Sequence, residues 1–152
     1  MWGELISNRI LVISICAWAI TQIIKVLVVL VQEKRVVWNY FVTSGGMPSS
    51  HAATVCALAT AIALTFGMGS VGFSIAAVVA VVVMYDAAGV RQSVGKQSVI
   101  LNRIVKEFKF KSPANKIEHD LREFIGHTPI QVIVGALLGI FVAWAWLTIA
   151  GI

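Results

Sequence analysis

Long apolar runs separated by short polar breaks make up most of this chain and predict an all-α integral membrane protein. Four runs, at residues 10–31, 52–68, 71–90 and 129–150, each fall within the roughly 17–25 helical residues that cross a hydrocarbon layer about 30 Å thick. Only Gly67 to Ser70 separate the second run from the third, which predicts a tight helical hairpin. We therefore expect four transmembrane helices in a single membrane domain over residues 1–152.

The loop at residues 91–127 interrupts this pattern with two shorter amphipathic segments. Apolar residues between positions 101 and 108 repeat at helical spacing, which predicts a helix lying on the membrane surface. Ser112 and Pro113 are then typical of an N-cap followed by proline at the first helical position, so we expect a second short helix. His119 lies opposite the apolar stripe of that helix, which predicts a solvated side chain.

Composition supports the membrane assignment and charge suggests an orientation. The chain is 59% hydrophobic and 12% charged, with a mean hydropathy of +0.89, which excludes an ordinary soluble domain. Its net charge of +5 is concentrated in the loop at 91–127. By the positive-inside tendency that loop is cytoplasmic, and a plasma-membrane location is expected. Basic residues beside membrane spans serve topology and anionic headgroups, so no nucleic-acid partner is predicted.

Two histidines stand at the starts of apolar runs. The segment from Gly45 to His51 places glycines, serines and a histidine in front of the second run, and His127 opens the fourth run in the same way. A helix N-terminus favours anions through its dipole and its unpaired amides, and Ser49 or Ser50 can cap the first of these helices. A phosphate group would suit both positions.

Topology predicts that the polar residues of the spans meet at one membrane boundary. The first and third runs end on the side where the second and fourth begin, so Lys25, Asp86 and Arg91 should gather near both histidines. Lys25 lies six residues before Val31 and so about 9 Å inside the span. At that depth it either snorkels to the interface or serves a buried polar site.

Such a group of residues could perform displacement at phosphorus. One neutral imidazole attacks, the other protonates the leaving oxygen, and cations with backbone amides stabilise the charge on the remaining oxygens. This chemistry requires no metal. Two alternatives stay open, since two histidines and an aspartate could also be zinc ligands, and either histidine could merely cap its helix.

The same residues carry a resemblance to a known family. Pro48 to His51, followed by Gly126 to Gly139, resembles the type-2 phosphatidic acid phosphatase superfamily, which also contains the vanadium haloperoxidases. Its divergent membrane branch is the closer match, through Ser44 to His51 and through Asp86 to Arg91 with Gly95 to Gln97. The resemblance covers most of the chain from about Lys25 onward.

The resemblance implies a helical bundle like the core of these phosphatases and a lipid-phosphate phosphatase that works through a phosphohistidine, without cofactor or metal. His127 would be the nucleophile and His51 the acid for the leaving group. The phosphate would be bound by three cations and by the backbone of two serines: Lys25, Arg91, Lys96, Ser49 and Ser50. Better-known members have six spans, so four spans leave lateral surface that a homodimer could cover.

One departure from the superfamily bears on activity. A carboxylate usually follows the nucleophilic histidine by four residues, whereas this chain has Gln131 there. Three interpretations stay open: Asp86 substitutes from a neighbouring helix, the enzyme is slow, or the protein is a catalytically silent relative, an engineered glutamine variant included. The alternative functions are a non-catalytic binder or transporter of anionic lipids and a structural subunit of a larger membrane complex.

Overall fold

The computed structural model describes residues 7–33, 46–89 and 128–151, together with Gly3, Gln97, Ile100 and Leu101. Regular structure in these ranges is α-helical. The helices are α1 (Arg9–Glu33), α2 (Ser50–Phe66), α3 (Val71–Ala88) and α4 (Pro129–Ile149). The predicted surface helices of the loop at 91–127 lie outside the described residues, apart from those single positions.

Three of these helices are long and apolar enough to cross a membrane: α1 over Arg9–Val31, α3 and α4. Helix α2 is apolar but has 17 residues, about 26 Å at 1.5 Å per residue. It begins at Ser50, two residues before the predicted start, and ends at Phe66 because Gly67 adopts a φ of 83°. The all-helical membrane fold is confirmed to this extent, and the count of four complete spans stays a prediction.

Helix α2 is the central element of the bundle. It makes extensive contacts with each of the other three helices, whereas the backbones of α1 and α3 do not approach each other closely within the described ranges. Helix α3 runs antiparallel to it, since Gly72 lies by Ile62 and the Cys56 thiol lies 3.7 Å from the Met84 sulfur. Helix α4 runs parallel to α2, so the two helices begin at the same end of the bundle.

The interface between α2 and α4 is built from small residues and is the most extensive in the bundle. A Cβ atom added at Gly135 would collide with the carbonyl oxygen of Ser49, and one added at Gly139 would collide with that of Ala53. The Ser49 amide also donates to the Gln131 carbonyl oxygen at 3.1 Å. In lipid, helix association relies on such close van der Waals packing, because lipid chains are as apolar as leucine.

Toward the opposite end, α1 joins this pair in an apolar core. Ile13 and Ala17 of α1 pack there against Ala57, Ala61 and the C-terminal half of α4. Helix α3 contributes much less to the interior, since its buried residues are three alanines: Ala76, Ala80 and Ala87. Its valine-rich remaining surface is suited to contact with lipid.

We expect Gly139→Ala to lower the free energy of unfolding by about 1–3 kcal/mol, the range for adding a methyl group to a well-packed interface. The reason is that the new Cβ must push α4 away from the Ala53 carbonyl. Gly69→Ala is the matched control, because a Cβ there meets nothing within 4 Å. Thermal unfolding in detergent micelles measures both variants, and equal midpoints would contradict the close approach.

Candidate active site

The N-terminus of α2 is fixed by Ser49. Its side-chain oxygen accepts from the Ala52 amide at 3.4 Å, so Ser49 rather than Ser50 is the N-cap. Its own amide is already used, because it donates to the Gln131 carbonyl oxygen on α4. This differs from the expectation that the Ser49 backbone binds phosphate: the amide joins two helices instead. Ser50, which is also buried, keeps the position expected of a helix N-terminal donor.

The N-terminus of α4 is closed by a capping box. The Thr128 hydroxyl accepts from the Gln131 amide at 3.4 Å, and the Gln131 side-chain oxygen accepts from the Thr128 amide at 3.0 Å. Pro129 occupies the first turn, where it lacks only an N–H that has no intrahelical partner. Gln131 therefore has a structural role that a glutamine or a glutamate performs equally well.

Lys25 is completely buried, which decides between the two possibilities that the sequence left open. Its relative exposure is 0%, and Thr21 and Gln22 beside it on α1 are buried as well. A Cβ at Gly46 would lie 3.4 Å from Lys25 Cγ and 3.5 Å from Cδ, so the chain just before α2 passes closely over the lysine stem. Lys25 thus belongs to a buried polar site rather than snorkelling along lipid. Ionisable residues placed in this way inside a membrane bundle mark functional sites.

His51 and Asp86 line one recess of about 270 Å³, together with Val82, Val83 and Ala87 of α3. His51 lies two residues from both Ser49 and Ala53, the positions that face α4. Two residues correspond to about 200° around a helix, so the His51 side chain projects away from α4. The structure therefore associates the first histidine with the carboxylate of α3.

Several of the expected site residues lie at one end of the bundle in the part of the chain that the structure describes. Lys25, the start of α2, Asp86 and the start of α4 share that end, as the contacts of Gly46, Ser49 and His51 establish. His127, Arg91 and Lys96 lie outside the described residues, so their expected roles stay predictions.

Two features of this region, the contact of Gly46 with Lys25 and the capping box of α4, were not identified from the sequence. Gly46 has a φ of 94° and covers Lys25, and the glycine pair before Pro48 was its only signal. The capping box was legible, since Thr128 followed three residues later by Gln131 is a recognised pattern. Gln131 stands where the superfamily has a carboxylate, and its role here is to accept from the Thr128 amide in the capping box.

Comparison with known proteins settles the family. Residues 6–142 match the Divergent PAP2 family. The chain belongs to this family. A Bacillus subtilis (strain 168) relative, described as the uncharacterized membrane protein YuiD, is 38% identical over 146 residues, which cover 90% of this chain and 92% of the relative. No solved structure matches the chain.

Membership confirms the resemblance that the histidine motifs indicated. With three apolar helices long enough to span and a relative described as a membrane protein, this divergent PAP2 protein is an integral membrane protein. The match covers α1, α2, α3 and most of α4, so every described candidate residue falls inside it.

We expect Gly46→Val to destabilise the protein more than Gly67→Val, by at least about 1 kcal/mol of unfolding free energy. Both glycines have positive φ, at 94° and 83°, so backbone strain is similar. A side chain at position 46 must also displace the Lys25 stem, whereas a Cβ at position 67 meets nothing within 4 Å. Chemical denaturation in micelles compares the pair, and an equal loss would contradict the packing of Gly46 on Lys25.

Proposed function

We propose that this protein is a lipid-phosphate phosphatase that hydrolyses a phosphomonoester or pyrophosphate on a membrane lipid through a phosphohistidine. The observation that carries the proposal is the recess shared by His51 and Asp86, at the same end of the bundle as buried Lys25 and two helix N-termini. Membership of the Divergent PAP2 family supports the reaction class.

In this proposal Lys25 and the first turn of α2 bind the phosphate. A cation shielded from water interacts with an anion far more strongly than an exposed one, and a helix N-terminus adds a positive dipole end and amide donors. Lys25 is buried beside the segment that leads into α2, which suits both contributions to one ligand. Arg91 and Lys96 are proposed as further cations.

Proton transfer falls to His51, with Asp86 as its partner. A carboxylate beside an imidazole fixes its tautomer and favours its protonated form. In the first step a His127 nitrogen bonds to phosphorus, the bond from phosphorus to the lipid oxygen breaks, and His51 gives that oxygen its proton. In the second step water attacks the phosphohistidine, His51 takes a proton from the water, and phosphate leaves as the bond to His127 breaks.

This assignment gives the two polar residues near the histidines different tasks. Asp86 shares its recess with His51, so its charge supports the acid rather than the nucleophile. Gln131 closes the first turn of α4 through its bond to the Thr128 amide, next to His127 in the chain. The nucleophile would then act without the carboxylate usual in the superfamily, which predicts a modest turnover.

The natural substrate is proposed only by class. Phosphatidic acid, phosphatidylglycerol phosphate and isoprenoid pyrophosphates all carry the required group on a lipid. We place the site on the cytoplasmic side of the plasma membrane, as the basic loop predicts, and a homodimer stays a prediction of the reduced helix number.

Purified protein should release phosphate from phosphatidic acid in the presence of EDTA. His51→Ala and His127→Ala should each lower the rate by at least about 100-fold, the lower end of what acid–base groups contribute. His119→Ala is the matched control, since its side chain is predicted to be solvated. Phosphate release assays give the rates. Binding of the lipid without release by the wild-type protein would overturn the phosphatase and favour an anionic-lipid binder.

Asp86→Asn should affect substrates according to their leaving groups. The leaving group of phosphatidic acid is diacylglycerol, whose alkoxide oxygen needs a proton, so turnover of this substrate should fall by about 100-fold. The phenolate of p-nitrophenyl phosphate leaves without protonation, so the rate of its release in the first step, measured as a pre-steady-state burst, should fall much less in both Asp86→Asn and His51→Ala. His127→Ala should abolish both reactions. An equal loss of both substrates in Asp86→Asn would assign Asp86 to another role.

A further inference from the structure

The face of α2 that is turned away from α4 lies between α1 and α3, and we call it the groove. His51, Val55, Leu58 and Ile62 are spaced by four, three and four residues and so form one stripe along the helix. Helices α1 and α3 both contact α2 and α4, and in the described ranges their backbones do not approach each other closely. They therefore flank α2 on either side of this stripe.

Each end of the stripe opens into a depression. At the His51 end lies the recess with Asp86. At the other end lies an apolar depression of about 350 Å³, lined by residues of α1, α2 and α3 that include Leu11, Leu58, Ile62, Phe66 and Gly72. Its one polar member is Asn8, whose side-chain oxygen accepts from the Leu11 amide at 3.1 Å and so caps α1.

The chemistry changes along the stripe in the order of a lipid phosphate. The end with His51 and Asp86 is titratable and shares the bundle end of Lys25, whereas the far end is apolar. His51 and Ile62 are eleven residues apart, or about 16 Å along the helix, close to the roughly 15 Å that one leaflet contributes to a 30 Å hydrocarbon layer. A headgroup at His51 would thus place its chain along the stripe.

The lining of the far depression is apolar apart from Asn8, which suits a hydrocarbon chain. Its position on the same stripe as the His51–Asp86 recess favours the chain of a lipid whose headgroup lies in that recess.

We propose that the groove over α2, between α1 and α3, binds one hydrocarbon chain of the lipid phosphate whose headgroup occupies the His51–Asp86 recess. This inference rests on the proposed function for the identity of the headgroup. Leu58 and Ile62 would then determine which hydrocarbon chain lengths the protein accepts, and long-chain lipid phosphates would be the preferred substrate class.

Photolabelling tests the groove independently of catalysis. The probe is phosphatidic acid with a diazirine at the end of one acyl chain, and phosphatidylcholine with the same chain is the control, both in vesicles with the full-length protein. We expect phosphatidic acid to label residues 8–11 and 58–66 at least about tenfold more than phosphatidylcholine does, since only its headgroup is held at the recess. Identical labelling patterns for the two lipids would overturn the groove.

Kinetics with groove-filling variants provide the second measurement. Leu58→Trp should lower kcat/KM for dioleoyl phosphatidic acid by at least about tenfold and leave a short-chain, water-soluble phosphatidic acid unaffected. Leu137→Trp is the matched control, because Leu137 is 62% exposed on the outer face of α4. An equal loss for both chain lengths, or no loss, would overturn the assignment of Leu58.

The two experiments separate the groove from the reaction. Selective labelling of the groove by phosphatidic acid without phosphate release would support the groove and overturn the phosphatase. Phosphate release with identical labelling by the two lipids would support the phosphatase and overturn the groove.

Discussion

The contact of the α2 backbone with the α4 backbone is the constraint on which the rest of this bundle depends. Gly135 and Gly139 bring α4 onto the carbonyl oxygens of Ser49 and Ala53, and the Ser49 amide bonds to the Gln131 carbonyl. Any larger side chain at these two glycines would separate the helices. Because both helices begin at this contact, their two N-termini are held in one place.

The membrane interior raises the energetic cost of placing these polar groups together. Polar groups away from water must be satisfied inside the protein, so a buried lysine, two capped helix starts and a carboxylate at one end form a costly cluster. The bundle meets part of this cost locally. Thr21 bonds back to the Ala17 carbonyl, Ser49 caps α2, and Thr128 with Gln131 caps α4. In our proposal Lys25, His51 and Asp86 serve the ligand.

The central position of α2 also explains how a small chain could combine a polar site with lipid access. One side of α2 meets α4 at backbone distance, and α1 and α3 flank α2 without a close backbone approach to each other in the described ranges. A residue on the first turn of α2 can therefore face either the tight interface or the open side. Ser49 faces the first and His51 faces the second, although only one residue separates them.

Sequence alone determined the helical class, the apolar runs to within about two residues, the family and the end of the bundle at which Lys25, His51 and Asp86 meet. These properties follow from hydropathy, from parity and from local motifs, all of which are written along the chain. Tertiary structure decided the burial of Lys25 under Gly46, the use of the Ser49 amide to bond α4 and the placement of His51 and Asp86 in one recess. The reason is physical: each depends on the rotation of one helix about its axis and on its distance from a neighbour, and periodicity in one segment specifies neither.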